Sequence, residues 1–181
     1  VRVICAYAGE IQPKTEEAIA KFAPETEYVE MHGLYGYGEA IASRWDGSSD
    51  LVIIEHDNEI TVEVMPSFTS CDRLWCVYAY DIFPAPHTFV MDHGLGCTRF
   101  SAELQKVVSV EEFIRPDWDF LPKCRRCDGA GCWATLDSRI FIAMMTRGIE
   151  QHIHGKIPHH HGYTDVNEWL KSLQDDFEFR N

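Results

Sequence analysis

Asp50-Leu51-Val52-Ile53-Ile54-Glu55-His56-Asp57-Asn58-Glu59-Ile60 is the stretch on which the fold turns. Leu51 to Ile54 are apolar and mostly β-branched, without the alternation of a half-exposed strand. Such a run reads as a strand buried on both faces of a sheet. It breaks off into Glu55, His56, Asp57, Asn58 and Glu59, side chains suited to holding a metal or moving a proton. In open α/β sheets, ligands bind in the crevice beyond the carboxyl ends of the strands. A buried strand that delivers an acidic turn there is a candidate catalytic centre; the plainer reading is a solvated acidic turn.

Outward from this centre the chain alternates. Val1–Ala6 reads as a buried strand, with Tyr7-Ala8-Gly9-Glu10 as the loop at its carboxyl end. Pro13 opens a helix, as proline does at a first helical position; Ile19, Phe22 and Ala23 form its inner face and Pro24 ends it. Thr26–Met31 is a second strand, and Tyr37, Ile41 and Trp45 put an aromatic stripe on a helix over Tyr35–Asp46. Asp46–Ser49 turns into the central strand. Strand, helix, strand, helix, strand argues for a parallel sheet with right-handed crossovers. The expected fold is a single-domain α/β protein spanning 1–181, its mostly parallel sheet flanked by helices.

Farther on, Ile60–Met65 is ambiguous between helix and strand, with a limit set by Pro66. Leu74–Tyr80 is aromatic and β-branched, hence a strand, and the two prolines of Asp81–His87 make that segment a loop. Thr88–Met91 is a short strand. Gly94 and Gly96 then allow a tight turn or close approach to a ligand, and Ser101 caps a helix carrying Leu104, Val107 and Val108. Residues 109–131, rich in proline, charge and aromatics, read as a long irregular excursion. Cys132–Gly148 is a clear helix, closed by Gly148. Gln151–Gly162 concentrates histidines, and Asp165 with Glu168 caps a terminal helix.

The net charge of −13 over 181 residues lowers the prior for a protein held on nucleic acid by phosphate contacts, which calls for a basic surface. It suits an acidic site that recruits a divalent cation. No apolar run approaches the ~20 residues of a membrane span, and no signal-peptide pattern opens the chain. The first residue is Val1, which suggests trimming. The seven cysteines, an odd number, read mostly as reduced core residues of a cytoplasmic protein.

Three constellations carry chemistry. On the 132–148 helix, Asp137 has Trp133, Ile140, Phe141 and Met144 at helical spacing. A carboxylate on an apolar face is either the buried partner of an arginine or a functional group with a tuned pKa. The pairs His152/His154 and His159/His161 each place two imidazoles on one side of a strand, as a shared cation requires. Cys124-Arg125-Arg126-Cys127-Asp128-Gly129-Ala130-Gly131-Cys132 contains one CxxCxGxG unit. Cys124, Cys127 and Cys132 plus a histidine would make a zinc knuckle; free thiols are the alternative.

Taken together, the sequence resembles small GT-A-type nucleotide-sugar glycosyltransferases, in particular the short glycosyltransferase-like proteins of actinobacterial phages and their hosts. The resemblance is carried by Trp45-Asp46-Gly47-Ser48, Asp50–Asp57, Trp75-Cys76-x-Tyr78, Gly94–Ser101, Trp133-x-x-Leu136-Asp137-x-x-Ile140 and the late His-x-His. It implies a GT-A-like, Rossmann-like fold and transfer of a sugar from a nucleoside-diphosphate sugar such as a UDP-sugar to an acceptor hydroxyl. Glu55-x-Asp57 stands where the family has its acidic metal motif, with Asp57 as the direct Mn²⁺ or Mg²⁺ ligand and His159 or His161 as the late histidine. Ala6, Tyr7 and Ala8 would hold nucleobase and ribose, and Gly94 and Gly96 would approach the sugar. Asp137 would be the general base of an inverting reaction. The acceptor implied is a hydroxymethylated DNA base or a glycan; for DNA, Arg99, Lys123, Arg125 and Arg126 offer a basic rim. Two other readings stand beside it: a metal-dependent hydrolase using His-x-His with Asp57 or Asp137, and a non-catalytic binding module whose cysteine loop engages a partner.

Overall fold

A computed structural model of the chain describes residues 1–32, 36–82, 90–92, 94–114 and 133–160. Its centre is a seven-stranded sheet of β1 (Arg2–Tyr7), β2 (Glu27–Glu30), β3 (Leu51–Glu55), β4 (Trp75–Asp81), β5 (Val90–Met91), β6 (Cys97–Phe100) and β7 (Gln151–Ile157). β1 pairs in parallel with β2 and with β3. β6 then runs antiparallel between β3 and β4. Trp75 to Val77 pair with β6 and also with β7, so β7 takes the other edge of β4, in parallel. β5 adds a short antiparallel pairing at Tyr80 and Asp81.

The missing alternation in Leu51–Ile54 has a direct cause. Leu51 and Ile53 enter one core with Ile4 and Ala6 of β1, under Tyr37 and Ile41. Val52 and Ile54 enter the other with Val3 and Cys5, under Ile19, Val64 and Phe68. Burying each such side chain contributes about 1.5–3 kcal/mol, so neither face of β1 or β3 tolerates a polar residue cheaply. The first core lies under α2 (Gly36–Ala42), α4 (Ala102–Val107) and α6 (Trp133–Met145), the second under α1 (Pro13–Phe22) and α3 (Val64–Ser70).

The sheet is mixed where the sequence suggested mostly parallel strands. The cause is Cys97–Phe100, read as the continuation of a glycine loop but folded as a wholly buried strand. Four residues behind two glycines are too few to show a period. α2 stops at Ala42, short of the helix expected to Asp46, because Arg44 and Trp45 donate backbone bonds three residues back to Ile41 and Ala42. Trp45 still reaches the core, its indole N–H donating to the Val108 carbonyl at 2.7 Å. Pro66 does not limit a helix but sits in the first turn of α3, where no intrahelical N–H is needed. The Ser101 cap on α4 is formed, its hydroxyl accepting from Leu104 N–H at 3.0 Å, and Gly148 closes α6 at φ 67°.

Arg99 does not join a basic rim. It is 5% exposed, and its Nε and Nη2 lie 2.8 and 2.7 Å from Asp50 Oδ2. Asp50 Oδ1 accepts from Ala102 N–H at 2.8 Å, tying the start of β3 to α4. Lys123, Arg125 and Arg126 lie outside the described residues, as do most of the 109–131 excursion, the Cys124/Cys127/Cys132 unit, His161 and the Asp165 helix. Burial would raise the Asp50 carboxyl, but the Ala102 N–H and Arg99 outweigh it and hold the group below its ordinary value. A depressed carboxylate stabilises the fold above its unfolded pKa of about 3.9 and loses that contribution as pH falls through the folded value. Asp50→Asn is therefore expected to lower stability in urea unfolding at about pH 7, with the gap to the parent closing on acidification to about pH 3.

Candidate active site

The carboxyl ends of β1 and β3 lie side by side, Ala6 opposite Glu55. Beyond β3 the chain turns at Glu55–Asn58, where Asn58 N–H donates to the Glu55 carbonyl at 3.2 Å. The segment after β7 then lies against this turn. Glu59 N–H donates to Pro158 O at 2.9 Å, His160 N–H to Asp57 O at 2.7 Å, and Asn58 and His159 form an antiparallel bridge. Backbone pairing thus brings His159 to Asp57 across a long stretch of sequence.

His159 Nδ1 lies 2.9 Å from the Asp81 carbonyl. A carbonyl only accepts, so Nδ1 carries the proton, and in neutral imidazole Nε2 presents its lone pair. That Nε2 lies 3.1 Å from Asp57 Oδ2. Ligand atoms cis to one another on an octahedral ion with bonds of about 2.1 Å are about 3 Å apart. A metal-ligating histidine characteristically donates its other N–H to a carbonyl or carboxylate. An imidazolium–carboxylate pair satisfies the same distance; the surroundings bear on the choice.

Those surroundings are acidic. Removal from water, reinforced by the Asp137 and Asp57 charges, pushes the Glu55 carboxyl well above the usual carboxylate range, while the Tyr37 hydroxyl pulls the other way. Burial raises Tyr37 and Tyr80 too, and the charges of Glu55 and Asp137 act on both. Glu55, Asp57 and Asp137 therefore share one electrostatic environment, and a divalent cation relieves such like-charge crowding. Asn58 donates to Asp57 Oδ1 at 3.1 Å, and its own buried Oδ1 makes no hydrogen bond. The donor pair of carboxylate and imidazole fits a hard to borderline divalent ion.

The remaining candidate residues take up distinct places. Ala6 is buried in β1, Tyr7 ends the strand and Ala8 is exposed beyond it. Tyr7 lines an open groove of about 460 Å³ with Gly9, Glu10, Ile11, Glu16 and Tyr28. Gln12 N–H donates to His56 O at 2.9 Å and ties this loop to the acidic turn. Gly94 and Gly96 approach Tyr80: a Cβ at Gly94 would lie 2.3 Å from the Tyr80 hydroxyl, one at Gly96 2.5 Å from the ring and 2.7 Å from Asn58 Nδ2. The Tyr80 ring in turn packs on His159, centroids 4.7 Å apart. Gly96→Ala is expected to cost about 1–3 kcal/mol of overpacking in urea unfolding.

Two residues of this site carry no functional signal in the sequence. Tyr37 and Tyr80 looked like ordinary core aromatics; the available cue is that a buried tyrosine hydroxyl needs a partner. Asn58, one of the metal-competent residues of the turn, lies beside Asp57. Elsewhere, Cys71, His152 and His154 form a potential metal-binding site, one ligand atom from each lying within 4.8 Å of the others. His152 and His154 thus converge on a cysteine and not on Asp57 or Asp137. Four cysteines, Cys5, Cys71, Cys76 and Cys97, are free among the described residues, and no helix there is long and apolar enough to cross a membrane.

No protein-family model and no curated protein sequence matches the chain. Solved structures do. The 4-diphosphocytidyl-2C-methyl-D-erythritol synthase of Anaerococcus prevotii superposes with a TM-score of 0.54 at 10% identity, over 96% of this chain and 95% of that one. The fold is GT-A-like. A glycosyltransferase involved in glycosylation of the major capsid of PBCV-1 aligns at 12% identity over 97% of this chain and 100% of its own, with a TM-score of 0.49. In this GT-A-like frame the acidic turn after β3 occupies the carboxyl edge of the sheet, where an open α/β fold leaves its binding crevice.

Proposed function

We propose that the protein is a divalent-metal-dependent glycosyltransferase that moves a sugar from a nucleoside-diphosphate sugar to an acceptor hydroxyl. The observation that carries this reading is the Asp57–His159 pair, a carboxylate and an imidazole nitrogen 3.1 Å apart, with Nδ1 committed to the Asp81 carbonyl. Asp57 and His159 hold Mn²⁺ or Mg²⁺, with His161 as a further candidate ligand. When bound, the cation neutralises charge on the departing diphosphate. The Ala6-Tyr7-Ala8 segment and its groove take the nucleobase and ribose. Glu55, its carboxyl pushed upward by burial, holds the turn under Asp57, and Gly94 and Gly96 let Tyr80 brace His159 on the donor side.

Asp137 accepts the proton of the acceptor hydroxyl as that oxygen attacks the anomeric carbon. The charge of −13 favours a glycan over DNA as the acceptor. The short glycosyltransferase-like proteins of actinobacterial phages and their hosts are the proposed relatives, and a cytoplasm the proposed compartment. The test is a thermal-shift panel of nucleoside diphosphates with and without Mn²⁺, followed by product analysis. Stabilisation by UDP or GDP only with metal, and release of the diphosphate from a nucleotide sugar, is the expected result. Indifference to every nucleotide, or release of pyrophosphate from a nucleoside triphosphate instead, overturns it.

A further inference from the structure

Cys71 follows α3 at its carboxyl end, just before β4, while His152 and His154 stand on β7. In the pairing of β7 with β4, His152 faces Cys76 and Ile153 faces Val77, but Gly155 and not His154 faces Tyr78. His154 is thus the extra residue of a β-bulge, a device that re-aims a side chain. Its ring lies 4.6 Å from that of His152, nearly perpendicular to it. Tyr78 stacks on one side of His154 and Phe68 meets it edge-on, at 5.6 and 5.8 Å between centroids. Despite this bracing, His154 Nε2 is buried and makes no hydrogen bond. A buried ring nitrogen left without a partner is costly unless something else fills the place.

We propose that Cys71, His152 and His154 bind a borderline-soft divalent ion, zinc foremost, and that this ion clasps the edge strand β7 to the junction of α3 and β4. One thiolate and two imidazoles make a ligand set suited to zinc and poorly suited to Mn²⁺ or Mg²⁺, which prefer oxygen. Exposure of His152 leaves the fourth position open to water. The clasp sits beside the first half of β4 and β7, whereas His159 meets the Asp81 carbonyl at the end of β4. By pinning the bulge it fixes the register of β7, and with it the height at which the strand delivers His159.

The test uses the full chain, reduced, stripped of metal and titrated with Co²⁺ in excess Mg²⁺. One equivalent is expected to give tetrahedral d–d bands and a thiolate-to-cobalt charge-transfer band, all erased by Zn²⁺. Cys71→Ser is expected to lose the charge-transfer band, and the exposed His152→Ala to weaken binding about tenfold or more while its circular dichroism stays unchanged. The Cys124→Ser/Cys127→Ser/Cys132→Ser variant and Asp57→Asn are expected to keep the spectrum. Zn²⁺ should raise the melting temperature of the parent and not that of His152→Ala. Failure to bind Co²⁺ or Zn²⁺, a thiolate band that survives Cys71→Ser, or its loss in the triple cysteine variant overturns the proposal.

Discussion

Asp57→Asn is expected to abolish Mn²⁺-dependent binding of nucleoside diphosphate, while the metal-free protein melts at or above the temperature of the parent. The two halves of this result have one cause. Asp57 adds its charge to a group of carboxyls in which Glu55 is already driven toward protonation by burial and by its neighbours. Removing one charge relaxes the unliganded site. The amide keeps the shape and the contact with Asn58 but gives up the anionic oxygen 3.1 Å from His159 Nε2. A cation then keeps the imidazole but loses the carboxylate. Affinity is expected to fall about 100-fold or more, with turnover following it. Calorimetry with Mn²⁺ and UDP or GDP measures this directly, and unchanged metal-dependent affinity removes Asp57 as a ligand.

Asp137→Asn is expected to separate binding from chemistry. Asp137 stands on α6, whose Leu136, Ile140, Ala143 and Met144 are buried in the core, so its helix is anchored independently of the site. Its charge reaches Glu55, Tyr37 and Tyr80. A neutral isostere leaves donor and metal binding in place but takes no proton. A fall of about 10²–10⁴ in kcat with little change in donor affinity is the expected split for a general base. Full transfer by this variant removes Asp137 from the chemistry; loss of donor binding as well assigns it to the cation instead.

The parts of the fold that announced themselves in the sequence were those in which local pattern and tertiary environment agree. Leu51–Ile54 is apolar throughout because it has a core on each side, and Pro13, Ser101 and Gly148 mark helix ends by their own backbone chemistry. Cys97–Phe100 was not legible: its strand is short, its direction is set by β3 and β4, and Arg99 within it is buried because Asp50 and the Arg73 carbonyl meet it. At the site, Glu55, Asp57 and Asp137 stood out as carboxylates against apolar runs. That they share one environment with His159 depends on where β7 pairs, which no spacing records. Cys71 is a plainer case still, a lone cysteine after a short helix until the β4–β7 pairing sets two imidazoles beside it.

The antiparallel course of β6 has a consequence for how the acidic turn is held. Because β6 runs opposite to β4, the chain leaves β4 at Asp81 and re-enters the sheet at Gly96 on the same edge, where Asp81 O holds His159 and Gly96 O accepts from Glu55 N–H at 2.8 Å. Between these two anchors lies the short β5, which pairs with Tyr80 and Asp81 at the end of β4. The pairings of β1 with β2 and β3, of β3 with β6, and of β4 with β6 and β7 all lie outside this connection. The scaffold that holds the acidic turn is thus set by pairings independent of the length of this connection.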